Sequence, residues 1–246
     1  MPAKRGTTRF RPSLWASVIA APAFIALLGL GTWQVQRLEW KHDLIANREA
    51  AFGLPPAALP VGDKRLAGFN YRRVSIAGRF LHDSEFYLVP RVFDGRIGLH
   101  VVTPFERSAG PIVLVDRGWV PESARAPSTR VDGQVAGTVT VDGVARTTSP
   151  HNSFTPDNDA AANQWFWIDI PAMARHAGIA LQPVFVEAGA GPSPSDLPVG
   201  GRTRVELRNN HLGYAVTWYA LAAALAVIYA LYHRRRQRGG RTPGGP

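Results

Sequence analysis

His211 follows a pair of asparagines and opens an uncharged run, Leu212 to Tyr232. On a helix starting there, Tyr214, Ala215, Trp218 and Ala222 follow at offsets of three, four, seven and eleven and share its face. An imidazole at a water boundary, with aromatic edges beside it and small side chains below, suits a flat apolar macrocycle held by one axial nitrogen. The same residues support a plainer reading. Asn209 or Asn210 is then a helix N-cap, His211 bonds headgroups, and Tyr214 and Trp218 are interface anchors. Both readings stand on these residues.

Other chemistries are less well supplied. The chain has no cysteine. That excludes disulfides, thiolate zinc sites, covalent c-type haem attachment and a cysteine nucleophile. The histidines are His42, His82, His100, His151, His176, His211 and His233, and no two share a three- or four-residue spacing. A local zinc or copper site on one helix is therefore not indicated. There is no G-x-S-x-G elbow, P-loop or H-E-x-x-H. The run Asp157 to Asp159 lacks the glycine and glutamate of a calcium loop and reads as a polar turn. Asp116 and Arg117 precede Gly118 and Trp119 and read as a turn residue beside a structural arginine.

The elements that would position His211 begin with two apolar blocks. Leu14 to Trp33 has no charge in 20 positions and Leu212 to Tyr232 none in 21. A bilayer core about 30 Å thick needs about 20 apolar residues at about 1.5 Å rise each. Both blocks read as transmembrane helices. The first is an uncleaved signal anchor, since its apolar core exceeds the usual ~7–15 residues. It continues at helical spacing to about Ala51.

Charge orients them. The net charge is +10, yet Leu38 to Asn210 carries 18 basic and 18 acidic residues. The excess is Lys4, Arg5, Arg9 and Arg11 at one end and Arg234, Arg235, Arg236, Arg238 and Arg241 at the other, with Arg37, just after the first block, as the tenth. Each flanks an apolar block, which places both tails in the cytoplasm by the positive-inside rule. A neutral central segment argues against nucleic-acid binding. With little chain before the first block for a mitochondrial leader, a bacterial inner membrane with a periplasmic domain fits best.

The expected layout is a basic tail at 1–13, a span at 14–33 extended to about 51, an extramembrane domain at 52–210, a span at 211–232 and a second basic tail at 233–246. Gly53 to Asp63 and Ala190 to Gly201 are rich in Pro and Gly and read as a linker and a loop. Strands are predicted over Arg73–Phe80, Phe86–Phe93, Ile97–Phe105, Ile112–Val120, Gly137–Ala145, Trp165–Ile170 and Val184–Ala188. Pro171–Gly178 is a short helix. The fold class is therefore a membrane protein with two transmembrane helices flanking a β-rich, mainly antiparallel α+β domain. Ala222, Ala226 and Ala230, with Ala16 and Ala20 and with Ser17 and Ala21, recur every four residues, the spacing at which helices approach closely in lipid.

Six collinear stretches carry a resemblance. They are Gly31–Ile45 (GTWQVQRLEWKHDLI), Leu114–Pro121 (LVDRGWVP), Asn163–Arg175 (NQWFWIDIPAMAR), Pro183–Ala188 (PVFVEA), Gly200–Arg208 (GGRTRVELR) and Arg208–Tyr219 (RNNHLGYAVTWY). Together they resemble the surfeit locus protein 1 family from the first apolar block to the end of the second. The resemblance implies a non-enzymatic assembly factor for cytochrome c oxidase that acts while haem a is delivered to, or stabilised in, the catalytic subunit. It implies haem a as a transient cofactor, with the oxidase catalytic subunit as partner and haem a synthase as a further one. The family motif falls on His211, Tyr214, Thr217 and Trp218. It makes His211 the candidate iron ligand and Tyr214 and Trp218 the candidate haem contacts. Trp33 and Gln34 would line the opposite wall, and Arg117 or Arg208 could pair with propionates. The absence of cysteine, with only Met1 and Met173, is unlike a copper chaperone. Two rival classes remain: a structural scaffold without haem, and a periplasmic enzyme on a membrane anchor.

Overall fold

A computed structural model of the chain describes residues 13–147, 151–191, 197–203 and 207–239. Most of the first basic tail, residues 240–246 of the second, and part of the Ala190–Gly201 loop lie outside the described residues. The chain divides into two compact units, Met1–Leu44 with Leu207–Pro246, and Ile45–Glu206.

The second unit is built on seven strands: β1 (Arg72–Phe80), β2 (Phe86–Phe93), β3 (Arg96–Arg107), β4 (Ile112–Pro121), β5 (Val139–Arg146), β6 (Gln164–Trp165) and β7 (Leu181–Ala188). Their order is β1-β5-β7-β4-β3-β2-β6, and β1 also pairs with β3. That extra pairing closes β1, β5, β7, β4 and β3 into a ring. It runs through Gly78↔Arg107, Arg79↔Glu106 and Phe80↔Phe105. The long β3 makes this possible, since its first part pairs with β2 and its end with β1. Gly78 is required at the closure, because a Cβ there would lie 2.1 Å from the Glu106 carbonyl oxygen. Asp94 and Gly95 turn β2 into β3 with φ of 49° and 72°, the two-residue hairpin geometry that matches strand twist.

The sheet is mixed. The antiparallel expectation holds for five pairings, but β4–β7 and β2–β6 are parallel. β4 is central and buried on both faces, which explains its apolar run Ile112–Val115. Val113 and Val115 join Val74, Ile76, Phe105, Val141 and Val186 on one side. Leu114 turns the other way, toward Phe86, Val102, Trp165, Met173 and Phe185.

Two sequence expectations change. Trp165–Ile170 is not one strand: β6 ends at Trp165, where Asn158 Oδ1 accepts the Phe166 and Trp167 N–H groups at 2.8 and 3.3 Å, and Asp169 then caps the helix α2 (Ile170–Ala177) by accepting the Ala172 N–H at 3.0 Å. Gly53–Asp63 is not a free linker. Ala57 bridges Val74 in parallel, and Leu59 is buried in the core. Proline lacks a ladder donor but keeps its carbonyl. Here Arg107 donates to the Leu59 and Pro60 carbonyls, and Gln182 Nε2 donates to those of Pro60 and Val61.

A buried ion cluster ties the loop after β4 to the segment before β2. The Glu85 side chain is 2% exposed and is held by Arg130, by Gln134 at 3.2 Å and by Arg117 at 3.5 Å. Burial alone would raise this carboxyl, but the Arg130 bonds and charge, Gln134 and Arg117 outweigh it and hold it below the usual carboxylate range. Asp116 and Arg117 lie inside β4 and not in a turn; Arg117 is the extra residue of a bulge between the pairs Val101↔Gly118 and Val102↔Asp116. Burial pulls its guanidinium down to about 10.

The first unit pairs the N-terminal part of α1 (Leu14–Gly53) with α3 (His211–Gly239), antiparallel. Both helices are long and apolar enough to cross a membrane. The Ser17 and Tyr229 hydroxyls meet at 2.6 Å, those of Thr32 and Tyr219 at 3.1 Å, and Lys41 Nζ donates to the Arg208 carbonyl at 2.5 Å. His233 is fully buried; Nε2 accepts the Ser13 N–H at 2.9 Å and Nδ1 donates to the Tyr229 carbonyl at 2.8 Å. The seam uses the four-residue repeat of small residues only in part: Ala16, Ser17, Ala20 and Ala222 are partly or fully buried, whereas Ala21, Ala226 and Ala230 are exposed. The less exposed positions include Ser17, Ala20, Phe24, Leu27, Gly31 and Gln34 on α1, and His211, Ala215, Trp218, Ala222, Leu225 and Tyr229 on α3. They alternate by three and four, the spacing that keeps one stripe on a partner helix. Ala230 is exposed, and Ala226 lines a groove of about 300 Å³ beside Ser17, Ala20, Phe24 and Tyr229.

Replacing Glu85 by Ala leaves two buried arginines without their carboxylate. We expect a loss of about 3–5 kcal/mol in chemical unfolding of the full chain. Because the folded carboxyl is depressed, its stabilisation is complete above the usual carboxylate range and is lost as pH falls through the lower folded value. Glu85→Ala should therefore flatten the acid limb of the wild-type stability profile. An unchanged limb would show that the cluster contributes nothing.

Candidate functional site

His211 begins α3, and the asparagines before it act as expected for a helix start. Asn209 Oδ1 accepts the His211 N–H at 3.4 Å, and the Asn210 carbonyl accepts the Tyr214 N–H at 3.3 Å. The ring itself is held from the other helix: His211 Nδ1 lies 2.7 Å from Gln34 Oε1. Gln34 is 9% exposed, so its amide turns into the seam. Among the described residues Nε2 has no protein partner.

The face drawn from helical offsets divides in two. Ala215 and Ala222 are buried against α1 and Trp218 is half-buried, whereas Tyr214 is 56% exposed and turns away. Trp33, next to Gln34, is 52% exposed. Tyr219, which sequence reasoning passed over, sets the helix approach. A Cβ at Gly31 would lie 2.8 Å from its ring, so the two helices close there only because that side chain is absent. Nothing along α3 alone distinguishes Tyr219 from its neighbours; only the facing Gly31 does. Of the proposed propionate partners, Arg117 is committed to the Glu85 cluster. Arg208 is exposed three residues before His211, with Nε donating to Asn210 Oδ1 at 3.2 Å.

An imidazole with one nitrogen engaged and the other unclaimed fits a single-axial-ligand macrocycle. The Gly31–Tyr219 contact leaves no gap for a flat ring between the helices one turn away. Trp33 and Tyr214 are both exposed and are available to contact such a ring from outside the seam.

The sheet unit contains a second polar constellation that sequence reasoning missed. His100 Nδ1 lies 2.9 Å from Asp116 Oδ2, and Arg146 bonds Glu187 at 2.5 Å, beside a cavity of about 960 Å³ that Trp119 and Arg202 also line. Burial raises the Glu187 carboxyl above the usual range, and the Arg146 charge opposes it. Each acid is already matched by a base. β4 and β7 bring Asp116 and Glu187 level through a parallel register that no local pattern announces.

A model of the SURF1 family matches residues 21–223. The chain is 38% identical to a SURF1-like protein of Monosiga brevicollis over 94% of its own length and 90% of the relative's. It is 40% identical to Surfeit locus protein 1 of Mus musculus, covering 86% of this chain and 72% of that one. The figures for Surfeit locus protein 1 of Homo sapiens are 39%, 89% and 76%. This chain belongs to the SURF1 family. The family match takes in Gln34, His211, Tyr214, Trp218 and the whole sheet unit.

In this SURF1 family member, Gly31→Val drives a branched side chain into Tyr219. Overpacking of this kind costs about 1–3 kcal/mol. The full chain in detergent should melt at lower temperature, while Tyr219→Phe, which removes only the hydroxyl, should cost less. Equal melting of Gly31→Val and wild type would show that the helices do not meet at this point.

Proposed function

We propose that this SURF1 family chain is a non-catalytic assembly factor for cytochrome c oxidase that assists the placing of haem a in the catalytic subunit. Support comes from family membership over most of the chain and from the collinear motifs that resemble surfeit locus protein 1. The observation that carries the haem part is the His211 imidazole, with Nδ1 engaged by Gln34 and Nε2 unclaimed among the described residues at the start of α3.

In this reading α1 and α3 cross a bacterial inner membrane, since their uncharged lengths match a bilayer. The basic tails keep both ends cytoplasmic, and the sheet unit is periplasmic. His211 Nε2 would hold the iron, Trp33, Tyr214 and Trp218 would offer apolar contact, and Arg208 would meet a propionate. Haem a, when bound, supplies the redox centre that the oxidase needs. The chain's own work is to hold the group at one nitrogen, shield its apolar faces and release it. The sheet unit would dock on the oxidase catalytic subunit, and haem a synthase would be the donor.

A purely structural scaffold is the second reading. It is favoured by the same Gln34–His211 bond, which also locks the helix pair. His211→Ala separates the two. In cells that make haem a, the variant should purify with little haem absorbance and leave an oxidase poor in haem. Full haem content and full oxidase activity would remove the ligand role and leave the scaffold.

A further inference from the structure

Resting on the haem reading above, we propose that Gln34 is the positioning residue of the His211 site: by accepting the Nδ1–H it selects the ring tautomer that presents Nε2 as a bare electron pair. The two side chains come from different helices and meet at 2.7 Å, with Gln34 Oε1 facing Nδ1. An amide oxygen can only accept, so the bond places the proton on Nδ1. The partner of one ring nitrogen decides which nitrogen is free for a metal. Such partners also fix ring orientation and raise ligand basicity.

The bond makes the ligand conditional on helix pairing. Gln34 lies one turn beyond Gly31, and the Gly31–Tyr219 contact with the Thr32–Tyr219 bond sets the approach of the helices. When the helices part, His211 loses its acceptor and the tautomer is no longer held. The acceptor is also neutral. A carboxylate in its place would give the imidazole more anionic character and a stronger axial bond. An amide orients the ring with a weaker push, which suits a site that must let its cargo go.

The test uses the full chain in phospholipid nanodiscs, labelled with ¹⁵N-histidine, at mildly alkaline pH. Long-range proton–nitrogen spectra report the tautomer, with the His211 signals identified by their loss in His211→Ala. Wild type and Gln34→Glu should show a protonated Nδ1, and Gln34→Met, which keeps length but accepts nothing, a protonated Nε2. Haem a co-purified from producing cells should fall at least about tenfold in Gln34→Met, the usual scale for losing such a partner. In Gln34→Glu it should stay at or above wild type. A wild-type ring protonated on Nε2 overturns the proposal even if Gln34→Met fails to fold. So does Gln34→Met with wild-type haem content. Haem retained by His211→Ala defeats the haem reading instead, while the spectra still decide what Gln34 does to the ring.

Discussion

A polar side chain inside an apolar helix seam must find a hydrogen-bond partner, either a backbone group or a polar side chain of the facing helix. The pairing of α1 with α3 rests on this constraint. Apolar contact between two such helices is forgiving, since one aliphatic face resembles another. Polar contacts are not. Ser17 with Tyr229, Thr32 with Tyr219 and Gln34 with His211 each accept one register, and all three accept the same one. Gly31 adds the steric half of the rule by admitting the Tyr219 ring. The proposed ligand is thus itself one of the residues that align the helices.

The sheet unit is governed by a different constraint. Closing five strands into a ring removes exposed edges. It requires one strand long enough to pair on both sides and a point of close backbone approach, supplied by β3 and Gly78. The connecting segments then bury carbonyls and charges that need partners. Arg107 and Gln182 meet the carbonyls of the proline-rich segment, and Glu85 gathers Arg130, Arg117 and Gln134. Side chains that look like surface arginines in the sequence thereby become interior fasteners.

Much of this was legible from local pattern. The two apolar blocks, the extension of α1 past its tryptophan, the start of α3 at His211, the range of β2 and the capped α2 all follow from periodicity and end signals. What was not legible depended on distant partners. The proline-rich segment looks like a spacer because its composition forbids regular structure. It packs because Arg107 and Gln182 lie elsewhere in the chain. The small residues of α3 suggested a four-residue seam. Part of that repeat is buried, but the register is set by polar side chains whose partners sit on the other helix.

Sequence alone therefore determined the two long apolar helices, most strand and helix segments and the imidazole at the start of α3. These depend on residue type and short-range spacing. Tertiary structure decided which nitrogen of His211 is engaged, that Tyr214 turns away while Ala215 and Ala222 turn in, and that Arg117 serves the core. A helical wheel shows a face without showing what covers it. Hydrogen-bond partners far apart in sequence are specified only when the chain brings them within about 3 Å.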